Sequence, residues 1–66
     1  MITQREVTEG DHKFICQYDD DDITLVTCTD NVSLDWHLKD IKGKLDPLAL
    51  GKKLRYAIKQ YKRMHN

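Results

Sequence analysis

His12-Lys13-Phe14-Ile15-Cys16-Gln17-Tyr18-Asp19-Asp20-Asp21-Asp22-Ile23-Thr24-Leu25-Val26-Thr27-Cys28-Thr29 reads as two runs rich in aromatic and β-branched residues around four aspartates, the pattern of a β-hairpin. Asp accepts the backbone geometry of a tight turn, so Asp19 to Asp22 is a chemically reasonable link. Pairing Tyr18 with Ile23 sets Cys16 opposite Leu25 and Phe14 opposite Thr27. Because side chains alternate along a strand, Phe14, Cys16, Tyr18, Ile23 and Leu25 then share one face, the predicted core face. Ile15, Val26 and Cys28 fall on the other, too apolar for a wholly solvated surface. The same register puts Cys16 and Cys28 on opposite faces of the sheet, where no disulfide can join them, and predicts two free thiols.

Beyond Asn31 the hydrophobic period changes from two to about 3.6. Asn31 or Ser33 is suited to cap a helix start. Leu34, Leu38, Ile41 and Leu45 recur at steps of four, three and four, and Gly43 suits a C-terminal cap, which predicts a first helix over Ser33 to Gly43. Asp46-Pro47 is a second start signal, since Asp caps well and Pro is favoured at the first helical position. From Pro47 to Met64 the apolar positions Leu50, Leu54, Ala57, Tyr61 and Met64, widened by Ile58, predict a second, longer amphipathic helix. On the other side of the hairpin, Met1 to Asp11 lacks sustained periodicity and ends in Glu9-Gly10-Asp11, which reads as a loose arm or a short edge strand. The fold class is therefore α+β: one domain over residues 1–66, with an N-terminal hairpin, extended at most by a third short strand, packed on two C-terminal helices.

At 66 residues a chain buries only about 60% of its unfolded surface, which leaves stability marginal and makes a homodimer one route to robustness. With 33% charged and 39% hydrophobic residues the composition is that of a folded globular chain rather than a disordered one. The start Met1-Ile2-Thr3-Gln4-Arg5-Glu6 is unlike a secretory signal and no run of apolar residues approaches a membrane span, so a cytoplasmic, non-membrane protein is expected.

A net charge of zero hides an asymmetry. Met1 to Asp30 carries eight acids against Arg5 and Lys13, a formal −6, whereas Asn31 to Asn66 carries nine bases against Asp35, Asp40 and Asp46, a formal +6. Such polarity points to charged partners, or to the two halves neutralising each other within the fold.

Chemistry-bearing constellations are sparse. The aspartate run lacks the alternate spacing, Gly and distant Glu of a calcium loop. His12, Cys16, Cys28 and His37 do not have the close-pair spacing of structural zinc sites. Ser33 is a helix-cap residue rather than a nucleophile, and Gly10, Gly43 and Gly51 stand alone without forming a phosphate loop. No enzyme, metal or cofactor is expected. Nor does any motif identify a family, although a short, charge-polarised, cofactor-free layout is similar in general character to accessory proteins of phages and mobile elements. Two binding readings remain. In the leading one, the chain is a non-enzymatic module that regulates or inhibits a larger protein, using Asp19, Asp20, Asp21 and Asp22 or the region of Trp36, a residue that either extends the core or anchors an interface. In the alternative, Lys52, Arg55, Lys59, Lys62 and Arg63 on the second helix track nucleic-acid phosphates, with Tyr56 placed to stack on a base.

Overall fold

A computed structural model describes residues 1–64. It has an α+β fold with element order β1 (Ile2–Glu9), β2 (His12–Asp19), β3 (Asp22–Cys28), α1 (Val32–Asp35), a 3-10 turn (Trp36–Leu38) and α2 (Pro47–Met64). The strands form one antiparallel sheet in the order β1-β2-β3. Two-residue turns join them, each with a left-handed residue in first position: Gly10 at φ 60° and Asp20 at φ 55°. That geometry matches the right-handed twist of a hairpin, and Gly and Asp are among the residues that tolerate it. The N-terminal segment is thus a full eight-residue edge strand. It turns Val7 onto the core and sets the Arg5 guanidinium 5.3 Å from the Tyr18 ring centroid.

The hairpin register departs from the predicted one after its first pair. Tyr18 does face Ile23, but Gln17 faces Leu25, Cys16 faces Val26 and Phe14 faces Cys28. Thr24 is an extra residue on β3, a β-bulge, and its hydroxyl donates to the Gln17 carbonyl at 3.2 Å. One inserted residue moves every later side chain to the opposite face. Leu25 is consequently 49% exposed, while Val26 and Cys28 join Phe14, Cys16 and Ile23 in the core. Both cysteines are free and buried, and they lie on the same face rather than on opposite ones.

The predicted first helix is also corrected. Asn31 caps α1, its side chain accepting from the Leu34 N–H at 3.0 Å, and the Asp35 carboxylate accepts the Cys28 N–H at 2.9 Å, tying the helix to the end of β3. Helical geometry stops at Leu38 because the chain must become extended to reach the sheet. Gly43, at φ 99°, donates its N–H to the Ile23 carbonyl at 3.0 Å and accepts the Ile23 N–H at 2.9 Å. Gly43 is therefore a β-bridge residue, not a helix cap, and it covers part of the β3 edge. Leu34, Leu38 and Ile41 are buried as expected. A bridge at this φ favours glycine, and a Cβ there would meet nothing within 4 Å, so backbone strain is the sole cost of a substitution. Gly43→Ala is expected to lower stability by about 1–3 kcal/mol, read from the midpoint of urea unfolding; an unchanged midpoint would show that residue 43 does not hold this conformation.

The Asp46-Pro47 signal places α2 as predicted: the Asp46 carboxylate accepts the Ala49 N–H at 2.7 Å. Leu50, Leu54, Ala57 and Ile58 are buried against the sheet and the 3-10 turn, Tyr61 packs at the margin, and Met64 is exposed instead of closing the stripe. No helix among the described residues is long and apolar enough to cross a membrane.

Candidate functional site

The helix α2 sorts its basic residues by angle. Successive residues turn by about 100°, so with Leu50, Leu54 and Ala57 facing inward, Lys52, Tyr56, Lys59 and Arg63 form a line along the outward face. All four are exposed. Arg55 and Lys62 lie on the flank toward β1, where Arg55 Nη1 approaches Glu9 Oε1 at 3.2 Å. This pair is the one ion pair between the acidic and basic halves among the described residues, so direct neutralisation between the halves is limited to it. Beside Ile58, the side chains of Lys59, Lys62 and Arg63 surround a depression of about 300 Å³.

The acidic run occupies the β2–β3 turn, beside the start of α2: Asp21 shares a hollow with Lys44, Asp46 and Pro47. Asp19 and Asp20 lie 3.4 Å and 3.9 Å from the Met1 amino group. Asp20, Asp21 and Asp22 are exposed at the tip. The structure thus separates the two protein-binding candidates, with the aspartates on the hairpin turn and Trp36 on the 3-10 turn.

Trp36 is 67% exposed, so of the two roles its residue type leaves open, extending the core is excluded. The 3-10 turn aims Leu34 and Leu38 inward and leaves the indole outside, where Lys39 Nζ sits 3.9 Å from its ring centroid, a cation–π contact. From its neighbour His37 a groove of about 310 Å³ opens between the 3-10 turn and α2, lined by His37, Asp40, Ile41, Lys52, Lys53, Tyr56 and Ala57. Ile41, Ala57 and the Tyr56 ring supply apolar surface, and two lysines against one aspartate give the rim a positive balance. His37 is held by an edge-on contact with Tyr61, ring centroids 6.3 Å apart. Lys39, Lys53 and the groove itself escaped the sequence reading, because the place where helical geometry ends decides which residues of 36–41 face α2.

Where β2 begins and β3 ends, His12, Cys28 and Asp30 converge, with their potential ligand atoms all within 4.8 Å of one another. The Cys28 S–H donates to Asp30 Oδ1 at 2.9 Å. His12 Nδ1 lies 3.4 Å from the same oxygen, near enough for attraction, yet it is buried and makes no hydrogen bond. Burial pushes the Cys28 thiol up, and its bond to Asp30 adds to that; the same bond, followed by His12, holds the Asp30 carboxyl below its usual range. Burial likewise raises the Cys16 thiol. Both thiols stay protonated near neutrality, and neither is an activated nucleophile. No family model matches the chain, and no curated protein or solved structure is significantly similar to it.

Proposed function

We propose that this chain is a non-enzymatic protein-binding module that regulates or inhibits a larger protein, and that it docks through Trp36 and the groove beside it. The observation that carries the reading is an indole 67% exposed on a short turn next to a partly apolar, lysine-rimmed groove. A small domain has few aromatic residues to bury, and Trp left outside the core is the residue type most enriched at interface centres. The groove chemistry suits an acidic segment carrying an apolar side chain, with Lys52 and Lys53 supplying the steering charge. Affinity capture from native extract after nuclease treatment is expected to recover one protein in stoichiometric amount. Trp36→Ala is expected to weaken that complex by at least about 2 kcal/mol, and Lys52→Glu with Lys53→Glu to weaken it further, whereas Lys59→Glu with Arg63→Glu leaves it intact. Recovery independent of Trp36 would refute this docking surface.

A second reading rests on a different observation, the exposed line of Lys52, Tyr56, Lys59 and Arg63 with Lys62 beside it. Four bases on phosphates would give a log–log salt dependence with a slope of roughly −4 on duplex DNA, through counterion release. The acidic tip would have to point away from the nucleic acid. Absence of binding at low salt, or affinity unchanged by Lys59→Glu with Arg63→Glu, removes this reading.

A further inference from the structure

We infer that His12, Cys28 and Asp30 form a zinc site, with Nδ1, Sγ and Oδ1 as three protein ligands and a fourth position open to water. The inference is independent of the docking surface proposed above. It follows from the bulge at Thr24, which turns Cys28 inward on the His12 side of the sheet and brings Asp30, just past the end of β3, across from His12.

Three features of the cluster fit a metal better than a purely structural contact. First, the donor set is thiolate, imidazole and carboxylate, which selects a borderline cation such as zinc over calcium or magnesium, whose ligands are oxygens. Second, all three ligand atoms lie within 4.8 Å of one another, and one pair already stands at the separation of a tetrahedral centre. With zinc bonds of about 2.3 Å to sulfur and about 2.0–2.1 Å to nitrogen and oxygen, nitrogen and oxygen ligands stand about 3.3 Å apart and sulfur stands about 3.5 Å from either. His12 Nδ1 and Asp30 Oδ1 are 3.4 Å apart. Cys28 Sγ and Asp30 Oδ1 are 2.9 Å apart, a hydrogen-bond separation that opens by about 0.6 Å, a side-chain rotation, when a metal replaces the proton. Third, His12 Nδ1 is a buried polar atom with no hydrogen bond, 3.4 Å from Asp30 Oδ1. Buried polar atoms are nearly always satisfied, so an orphan needs a partner, and a cation at the centre of the triad supplies one.

On binding, the Cys28 S–H bond, now donating to Asp30, breaks, its proton leaves to solvent and a zinc–sulfur bond forms in place of a zinc–water bond; nothing is oxidised or reduced. The ion would join the first residue of β2 to the segment that leads from β3 into the Asn31 cap of α1. A domain this small commonly needs such a staple.

Cobalt(II) titration of the reduced 66-residue chain tests the site, because tetrahedral thiolate coordination gives intense visible d–d bands and a sulfur-to-cobalt charge-transfer band. One equivalent is expected to bind with both signatures, and one equivalent of zinc to displace it. Cys16→Ser is expected to keep the charge-transfer band and Cys28→Ser to lose it. Outer partners alone are worth about 10–100-fold in metal affinity, so His12→Gln and Asp30→Asn should each cost at least about 100-fold. Asp30 lies at the surface, which makes Asp30→Asn the variant that tests the site when Cys28→Ser does not fold; circular dichroism confirms its fold. No binding, weak octahedral-type spectra alone, a charge-transfer band that survives Cys28→Ser, or zinc affinity unchanged in folded Asp30→Asn would each overturn the assignment.

Discussion

Phe14→Ala is expected to leave the chain largely unfolded at room temperature, seen as loss of the cooperative melt in circular dichroism. Phe14 is fully buried, in the middle strand, opposite Cys28 on one side and Val7 on the other. It is the largest side chain in a core otherwise made of aliphatic residues, Cys and Ala. Truncating a buried Phe removes its transfer free energy and leaves a cavity, at a cost of about 3–5 kcal/mol. A single core in a domain of this size rarely supplies more than about 3–5 kcal/mol of net stability, so the loss equals the whole margin. Tyr56→Ala, at a side chain 64% exposed, is the matched control and is expected to stay within about 0.5 kcal/mol of the parent. A cooperative melt retained in Phe14→Ala, shifted by only a few degrees, would show that the core lies elsewhere.

The parts of this fold that sequence discloses are those carried by strong local signals. Asp46-Pro47 sets the start of α2 because a cap and a ring-fixed φ act within one turn, needing no tertiary contact. The hairpin is likewise local, since its turn chemistry and β-branched runs lie within eighteen residues. The segment after Asn31 is different. Leu34, Leu38 and Ile41 satisfy an α-helical step pattern, yet the same residues face the core equally well as one α-turn, a 3-10 turn and an extended strap. What chooses between them is the pairing of Gly43 with Ile23, twenty residues away. The first strand is obscure for a related reason: as an edge strand it presents Val7 to the core while most of its other side chains are exposed, so alternation is faint.

The candidate surfaces follow the same division. A basic face on α2 is readable from helical spacing alone, but the stripe of Lys52, Arg55, Lys59, Lys62 and Arg63 divides in the structure into an outward line of Lys52, Lys59 and Arg63 with Tyr56 and a flank holding Arg55 and Lys62. The departure of Arg55 toward Glu9 is not readable that way, since it depends on where β1 lies beside α2. The residue type of Trp36 marks it in the sequence, but its exposure is decided by the 3-10 turn. His12, Cys28 and Asp30 are spread over nineteen positions and converge only in the bulged register, so spacing rules for zinc pass over them.

That register can be tested by a pair of substitutions at adjacent residues. Val26→Asp is expected to cost more than about 4 kcal/mol and Leu25→Asp no more than about 1 kcal/mol, measured by urea unfolding at neutral pH. Val26 is 4% exposed and faces Cys16, whereas Leu25 is 49% exposed on the open side of the sheet. At position 26 the carboxylate would replace an apolar side chain whose burial is worth about 1.5–3 kcal/mol. It would also lose its hydration with no cation among the side chains that form this core, a penalty of several kcal/mol even after protonation relieves part of it. At position 25 the new charge stays in water, and the loss is limited to strand preference and part of an apolar contact. Without the bulge at Thr24, alternation from Ile23 would bury Leu25 and expose Val26, and the two costs would exchange. A Leu25→Asp variant that unfolds beside a stable Val26→Asp variant would therefore restore the simple hairpin register, move Cys28 to the outer face and remove the geometry on which the zinc site depends.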